Sequence, residues 1–394
     1  MLIALRDLRH KHANNILWLF TAFVGLTWAM RDGSTSDSIR YMEKVALLHH
    51  SSISFLEYYI ASGEIDFFSL AITYFVASFT ENGYILMVFQ GLVYGFFFSR
   101  NMTFVLKQLN GNLKFISIIF FLTFFVVVPI WNFNGFRFWT ATHVFIYGLL
   151  PYFFEGKRKS LIWCFITPFV FHYAFIVPVL ILSLLLVLKN RLNLYFGFFV
   201  FSLFFAELDL KLFNAYVEQY VPQQFQERSQ SYRSEAKFER AQEVREVGDF
   251  SVEKSWHAIF YKKALTWSMY AFLLYYFFRR KHLQAKHPRM VYILSFVLLF
   301  FAFANILANL PSGSRYLSVV SLFTLAFLTI NTQNSIGDRL SKRISWVIAP
   351  LLLFFFIVSV RQALYFFSVT TIIGNPFIAL FTIGDNINLD SLIK

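Results

Sequence analysis

The chain has 394 residues, of which 57% are hydrophobic and 14% charged, and its mean hydropathy is +0.56. A soluble protein carries about a quarter charged residues, so this composition excludes an ordinary soluble domain and predicts an all-α, polytopic bundle of membrane helices. The net charge of +13 belongs to the loops of such a protein, and nucleic acid is not an expected partner. The one cysteine, Cys164, excludes a disulfide framework and a thiolate metal site.

Apolar runs of about 20 residues predict the membrane-spanning helices. In chain order, the candidates are 14–30, 82–98, 114–131, 138–154, 160–188, 193–209, 264–278, 289–309, 316–330 and 344–360. The run 160–188 is long enough for two short helices, which makes about eleven spans in a single transmembrane domain. Two further segments, 66–80 and 363–383, are doubtful spans.

Lys and Arg concentrate in short loops on the cytoplasmic side of a membrane. With the N-terminus inside, the inner segments hold 19 of them, whereas the short outer turns hold only Arg137, Arg315 and Arg361. This alternation requires that 66–80 lies at the outer face without crossing, and that Pro168, His172 and Pro178 break 160–188 near that face. Two long polar loops, 31–66 and 210–263, are then outside, and the second is predicted to fold over the membrane domain.

The Arg residues of the short outer turns indicate that a functional site faces outward. An Arg at membrane depth costs about 2.5–3.5 kcal/mol, so several at one level indicate an anionic partner or a wet cavity. Arg137, in Asn-Phe-Asn-Gly-Phe-Arg-Phe-Trp, has the planar fork that suits a diphosphate, although an interfacial anchor or a helix cap explains it equally well. Arg315, in Pro-Ser-Gly-Ser-Arg-Tyr, has the same setting. Arg361 is a weaker candidate, because its position at the end of a predicted span explains it without a function.

His172, in Phe-Val-Phe-His-Tyr-Ala-Phe, is the candidate general base or substrate-hydroxyl contact. No other His, Cys or carboxylate stands at metal-ligand spacing from it, so neither a metal nor another cofactor is expected. The alternative is a core histidine bonded to a neighbouring helix.

Polar residues of the first outer loop are candidates for binding sugar hydroxyls. They are Arg31, Asp32, Arg40, Tyr41 and Glu57. Exposed carboxylates are more often simply solvated, which is the alternative for Asp32 and Glu57.

The order of these features resembles the EpsG-like branch of the O-antigen polymerase (Wzy-type) family. It comprises an outer loop with Arg, Asp and Tyr, a Glu before an apolar helix, Asn-Gly-Phe-Arg, Glu-Gly-Lys-Arg-Lys inside, and Phe-His-Tyr-Ala at an outer turn. The likeness is best over about 40–190. Gly148 also follows Arg137 after ten residues, which resembles an Arg-x10-Gly pattern of such polymerases.

The resemblance implies a glycosyltransferase in a bacterial cytoplasmic (inner) membrane. It would join oligosaccharide repeats carried on undecaprenyl diphosphate at the outer face and release undecaprenyl diphosphate. Arg137 and Arg315 would clamp the diphosphate with help from Arg31 or Arg361, and His172 would act as the base, with Asp32 or Glu57 as the second choice. Membrane lipid and a chain-length regulator protein would be partners.

Three other functions remain open. An O-antigen ligase-like transferase would use the same donor with a different acceptor. A membrane acyltransferase would need a cytosolic entry for its donor, with its catalytic His near the first span. A transporter or flippase would need polar residues at mid-membrane depth and, as a rule, inverted repeats, neither of which is evident.

Overall fold

The computed structural model describes residues 11–29, 37–205, 256–281, 288–308, 312–334 and 339–384, with isolated positions 387, 389 and 392. These residues form helices and turns without a strand, and one isolated β-bridge joins Trp28 to Phe367. The predicted all-α class is therefore confirmed for the described part of the chain. The predicted outer loop 210–263 falls outside the described residues as far as position 255.

The helices are numbered in chain order. They are α1 (Lys11–Leu26), α2 (Asp37–His49), α3 (Phe55–Ser62), α4 (Phe67–Ala77), α5 (Gly83–Lys107), α6 (Phe115–Val127), α7 (Phe136–Leu150), α8 (Leu161–Val170), α9 (Ile176–Leu188), α10 (Leu192–Ser202), α11 (Trp256–Phe278), α12 (Pro288–Leu307), α13 (Arg315–Asn334), α14 (Arg339–Ala363), α15 (Val369–Ile373) and α16 (Pro376–Ala379). A 3-10 turn at Ile130–Gly135 leads into α7, and a π turn at Pro151–Glu155 continues it.

Among the described residues, four helical stretches are long and apolar enough to cross a membrane: Phe115–Glu155, Arg289–Leu307, Arg315–Asn334 and Arg339–Ala363. The first contains α6, the 3-10 turn and α7. They indicate a membrane-embedded helical protein. The figure of about eleven spans remains a prediction.

Two doubtful segments are short helices. α4 has 11 residues and is therefore about 16 Å long, half of what a bilayer crossing needs. The stretch 363–383 contains only α15 and α16, of 5 and 4 residues.

The run 160–188 is broken, as its prolines and His172 predicted. α8 ends at Val170, His172 has an extended backbone, and a 3-10 turn at Tyr173–Phe175 precedes α9. The break lies between the prolines rather than at them, because Pro168 is inside the last turn of α8 and Pro178 is in the first turn of α9.

The chain forms two compact units, of which unit 1 comprises 1–180 and 325–394. In unit 1, α1 packs along α5, α7 packs against both α5 and α8, and α14 packs against α6. Trp18 of α1 donates from Nε1 to the Leu92 carbonyl of α5 at 2.7 Å. A buried polar group joins α5 to α7: Tyr94 Oη lies 3.0 Å from His143 Nε2, and Asn101 Nδ2 donates to the His143 carbonyl at 2.9 Å.

Unit 2 comprises 181–324. α10 and α11 pack against α12. Asn305 of α12 accepts a hydrogen bond from Tyr270 of α11 at 2.5 Å and donates to Ser202 of α10 at 3.0 Å. This amide therefore links three helices.

Candidate functional site

The 3-10 turn before α7 fixes where that helix begins. Phe133 is fully buried against Trp28, with ring centroids 4.6 Å apart. Asn134 Oδ1 accepts a hydrogen bond from the Ser38 backbone N–H at 3.0 Å and so ties the start of α2 to the turn. Arg137 follows in the first turn of α7, beside α2 and the loop between α3 and α4.

Arg137 contacts three side chains. Its Nε donates to the Tyr41 hydroxyl at 3.1 Å, and its Nη1 donates to Glu64 Oε2 at 3.0 Å and to Asp66 Oδ2 at 3.2 Å. The planar guanidinium can satisfy such a set at once, which a Lys ammonium cannot do in the same geometry. No hydrogen bond to a described residue uses its Nη2.

Asp66 connects Arg137 to His172. Its Oδ1 lies 3.1 Å from His172 Nδ1 and accepts the Tyr173 backbone N–H at 3.1 Å. The Asp66 side chain is only 1% exposed, and that of His172 is 12% exposed. Burial alone would raise the pKa of Asp66, but the hydrogen bond and charge of His172, the charge of Arg137 and the Tyr173 N–H together lower it. Asp66 is therefore ionised at neutral pH.

A second cation completes what we name the Arg137 cluster: Tyr41, Lys44, Glu64, Asp66, Arg137 and His172. Lys44 Nζ lies 2.9 Å from Glu64 Oε1. Lys44 and Arg137 thus face the two carboxylates of Glu64 and Asp66, so the charges of these four side chains balance. The carboxylates hold the guanidinium in place, but they also reduce its attraction for another anion.

The structure brings three of the predicted site residues together: Arg137, His172 and Tyr41. Burial raises the pKa of Tyr41 while Arg137 opposes that shift, so the phenol stays protonated and can donate to an acceptor. Arg40, next to it, points elsewhere and pairs with Asp37 on an exposed surface.

Glu57 caps α3. Its carboxylate accepts from the Ser54 N–H at 2.7 Å and from the Ser54 hydroxyl at 2.8 Å, and these bonds lower its pKa. Glu57 is thus accounted for by a capping box.

The other predicted residues are not members of the cluster. Arg361 is exposed in the last turn of α14, and no described contact joins it to the cluster. That turn leads to Phe366 and Phe367, which contact Trp28 and Trp131, so Arg361 lies at the same end of unit 1 as Arg137. Arg315 begins α13 in unit 2. Arg31 and Asp32 lie outside the described residues.

Sequence reasoning did not select Lys44, Glu64 or Asp66. The available signal was Gly-Glu-Ile-Asp, with two carboxylates directly before the apolar segment 67–77. Carboxylates there are usually solvated, and nothing in the sequence shows that a residue 71 positions later lies against them.

No group of three or more His, Cys, Asp or Glu side chains in the described part of the chain could hold a metal ion. Comparisons with protein-family models, curated proteins and solved structures find no match.

Proposed function

We propose that the protein is a membrane glycosyltransferase that polymerises lipid-diphosphate-linked oligosaccharides at the outer face of a bacterial cytoplasmic membrane. The observation that carries this proposal is the Asp66–His172 pair beside Arg137. A carboxylate on Nδ1 selects the tautomer in which Nδ1 carries the proton and Nε2 is the free acceptor. This is the arrangement of a general base that is oriented by a carboxylate.

The reaction needs such a base. The hydroxyl of one lipid-linked repeat attacks the anomeric carbon of the sugar at the reducing end of another chain. As the new C–O bond forms, His172 Nε2 accepts the hydroxyl proton, and the bond from the anomeric carbon to the phosphate oxygen breaks. Undecaprenyl diphosphate leaves with that electron pair. Asp66 stabilises the imidazolium that results.

In this proposal, Arg137 does not clamp the diphosphate by itself. Its Nε and Nη1 are used within the cluster, so only Nη2 is left to donate to a phosphate or sugar oxygen. Since Glu64 and Asp66 balance the charges of Lys44 and Arg137, the diphosphate needs further cations. Arg315, Arg31 and Arg361 remain proposed for that role, and Arg361 lies at the same end of unit 1.

The test is deletion and complementation in the source organism, with surface polysaccharide separated on gels. The informative variant is His172→Asn, because an Asn amide can still donate to Asp66 from the position of Nδ1 but offers no nitrogen at Nε2. We expect His172→Asn to insert normally and to leave only single capped repeats.

Other outcomes separate the alternatives. Long chains at normal level in His172→Asn would contradict the assignment of the base. Loss of all capped core on deletion would favour the ligase-like transferase, since the donor is shared and only the acceptor differs. Inward-facing lipid-linked repeats that accumulate would favour a flippase.

A further inference from the structure

A cavity of about 720 Å³ lies in unit 1 at the end opposite the Arg137 cluster. Arg137 lies in the first turn of α7, whereas the cavity is lined by residues at the far end of that helix and its π turn, including Leu150 and Glu155. At about 1.5 Å per residue, roughly 25 Å of helix separates the two places. The cavity is therefore about one hydrocarbon thickness from the candidate active site.

The lining of the cavity is strongly basic. Five cations contribute to it: Arg100, Lys107, Lys157, Arg158 and Lys159. The one carboxylate in the lining, Glu155, pairs with Lys157 at 2.7 Å and accepts from Gln108 at 3.2 Å. No salt bridge to a described carboxylate neutralises the other four cations, so the cavity favours an anion.

The backbone conformation places these cations close to one another. The π turn ends at Gly156, whose φ of 74° is left-handed and whose N–H bonds to the Tyr152 carbonyl at 3.1 Å. The Lys157 N–H bonds back to the Pro151 carbonyl at 3.1 Å. The turn thus places Lys157–Lys159 over the end of the helix. Arg100 approaches from α5, where its guanidinium stacks on Trp18 and Phe96 at 4.7 and 4.1 Å.

Two buried oxygens of the lining accept no hydrogen bond from a described residue. One is Oδ1 of Asn101, which is 1% exposed and whose Nδ2 donates to the His143 carbonyl. The other is Oδ1 of Asn14 on α1. Such acceptors indicate that a donor, for example a hydroxyl or water, belongs beside the anion.

The cavity adjoins an apolar surface. Trp163 of α8 lines it, and the neighbouring Ile162 begins a row with Phe165 and Phe169 that is 58%, 36% and 72% exposed. These three positions share one face of the helix. In a membrane-embedded protein, such a face contacts acyl chains, which a soluble anion does not supply.

We propose that this cavity binds the headgroup of an anionic phospholipid that carries free hydroxyls, with its phosphate among Arg100, Lys107 and Lys157–Lys159 and its acyl chains along Ile162, Phe165 and Phe169. The proposal does not depend on the glycosyltransferase function. The same basic segments are those that the sequence assigns to the cytoplasmic side, where anionic lipids attract Lys and Arg.

The test is native mass spectrometry of the full-length protein in detergent, titrated with phosphatidylglycerol. Phosphatidylcholine with the same acyl chains has no net charge and tests whether binding needs the charge. Phosphatidylethanol is anionic without free hydroxyls and tests whether the hydroxyls matter. Soluble glycerol phosphate tests whether a free anion without acyl chains binds as well. We expect phosphatidylglycerol to bind at least about tenfold more tightly than phosphatidylcholine, and more tightly than phosphatidylethanol. Glycerol phosphate should compete poorly.

The variant K157Q/R158Q/K159Q removes three exposed charges, and R339Q/K342Q/R343Q is the matched control because it removes three from another predicted inner segment. We expect at least a tenfold loss of phosphatidylglycerol affinity in the first and less than a twofold loss in the second.

Equal losses in the two variants would mean that the lipid is attracted by diffuse positive charge, and would overturn the proposal. Full competition by glycerol phosphate would assign the cavity to a soluble anion instead, and equal binding of phosphatidylethanol would contradict the role of the hydroxyls.

Discussion

The carboxylate of Asp66 lies 3.1 Å from the imidazole of His172, although 106 residues separate the two in the chain. Asp66 is held from its other oxygen by Arg137, and His172 stands at the break between α8 and α9. The ring is further enclosed by Phe138, whose centroid is 5.6 Å from that of His172. A histidine held in this way has one defined nitrogen available for proton transfer.

Replacing Asp66 with Asn tests that arrangement. The amide keeps the size of the carboxylate but removes its charge, so the imidazolium formed during the reaction loses its stabilising partner. We expect a loss of at least about 100-fold in the rate of chain extension by detergent-solubilised protein. Asp37→Asn, on the exposed surface beside Arg40, is the control and should extend chains normally. An Asp66→Asn protein with more than half of the normal rate would contradict the proposed pairing.

Replacing Arg137 with Leu tests the charge balance of the cluster. Asp66 would keep its buried charge with only His172 and a backbone N–H beside it, which we expect to cost about 2–3 kcal/mol of stability. The measurement is thermal unfolding in detergent. Arg361→Leu is the control, since that Arg is exposed and should leave the midpoint nearly unchanged.

The double variant Arg137→Leu/Asp66→Asn separates this explanation from general damage to α7. Because it removes the unpaired carboxylate together with the cation, it should be less destabilised than the two single losses added together. Simple additivity would show that Arg137 and Asp66 do not stabilise each other.

The lowered pKa of Asp66 also predicts how stability depends on pH. A carboxyl whose folded pKa lies below the ordinary value of 3.8 stabilises the fold above that value, and the contribution is lost as pH falls through the folded pKa. The midpoint of thermal unfolding should therefore fall more steeply below pH 3.8 in the parent protein than in Asp66→Asn. Parallel curves for the two proteins in that range would contradict the assignment.

Part of this site could be predicted from the sequence. Arg137 and His172 stand out because each is polar within an apolar run and falls at a predicted outer turn, so periodicity and loop charge place them at one level. Asp66 and Glu64 do not stand out, because a carboxylate at the end of an apolar segment is common and normally solvated. Their position depends on the loop between α3 and α4 meeting the first turn of α7, a tertiary contact that no local pattern encodes.

Glu57 is the opposite case, because a local sequence pattern is enough to account for it. Ser54-x-x-Glu57 is a capping-box signature, and the structure has both of its hydrogen bonds. We expect Glu57→Gln to retain chain extension, because an amide oxygen can still accept from Ser54, and Ser54→Ala to accelerate amide hydrogen exchange in α3. Exchange confined to α3 supports the cap, whereas loss of activity in Glu57→Gln with unchanged exchange would restore a role in substrate binding.

Gly148 is explained by packing between α7 and α8. A Cβ at that position would lie 2.6 Å from Cys164 Sγ and 2.9 Å from the Ser160 carbonyl oxygen, so a larger residue must push the helices apart. We expect Gly148→Ala to lower stability by about 1–3 kcal/mol, measured by thermal unfolding in detergent. Gly148→Ala/Cys164→Ala should recover part of that loss because the sulfur is gone, while the contact with the Ser160 carbonyl remains. If Gly148 instead acts in catalysis through its spacing from Arg137, Gly148→Ala would lose chain extension with an unchanged unfolding midpoint, and removal of the Cys164 sulfur would restore nothing.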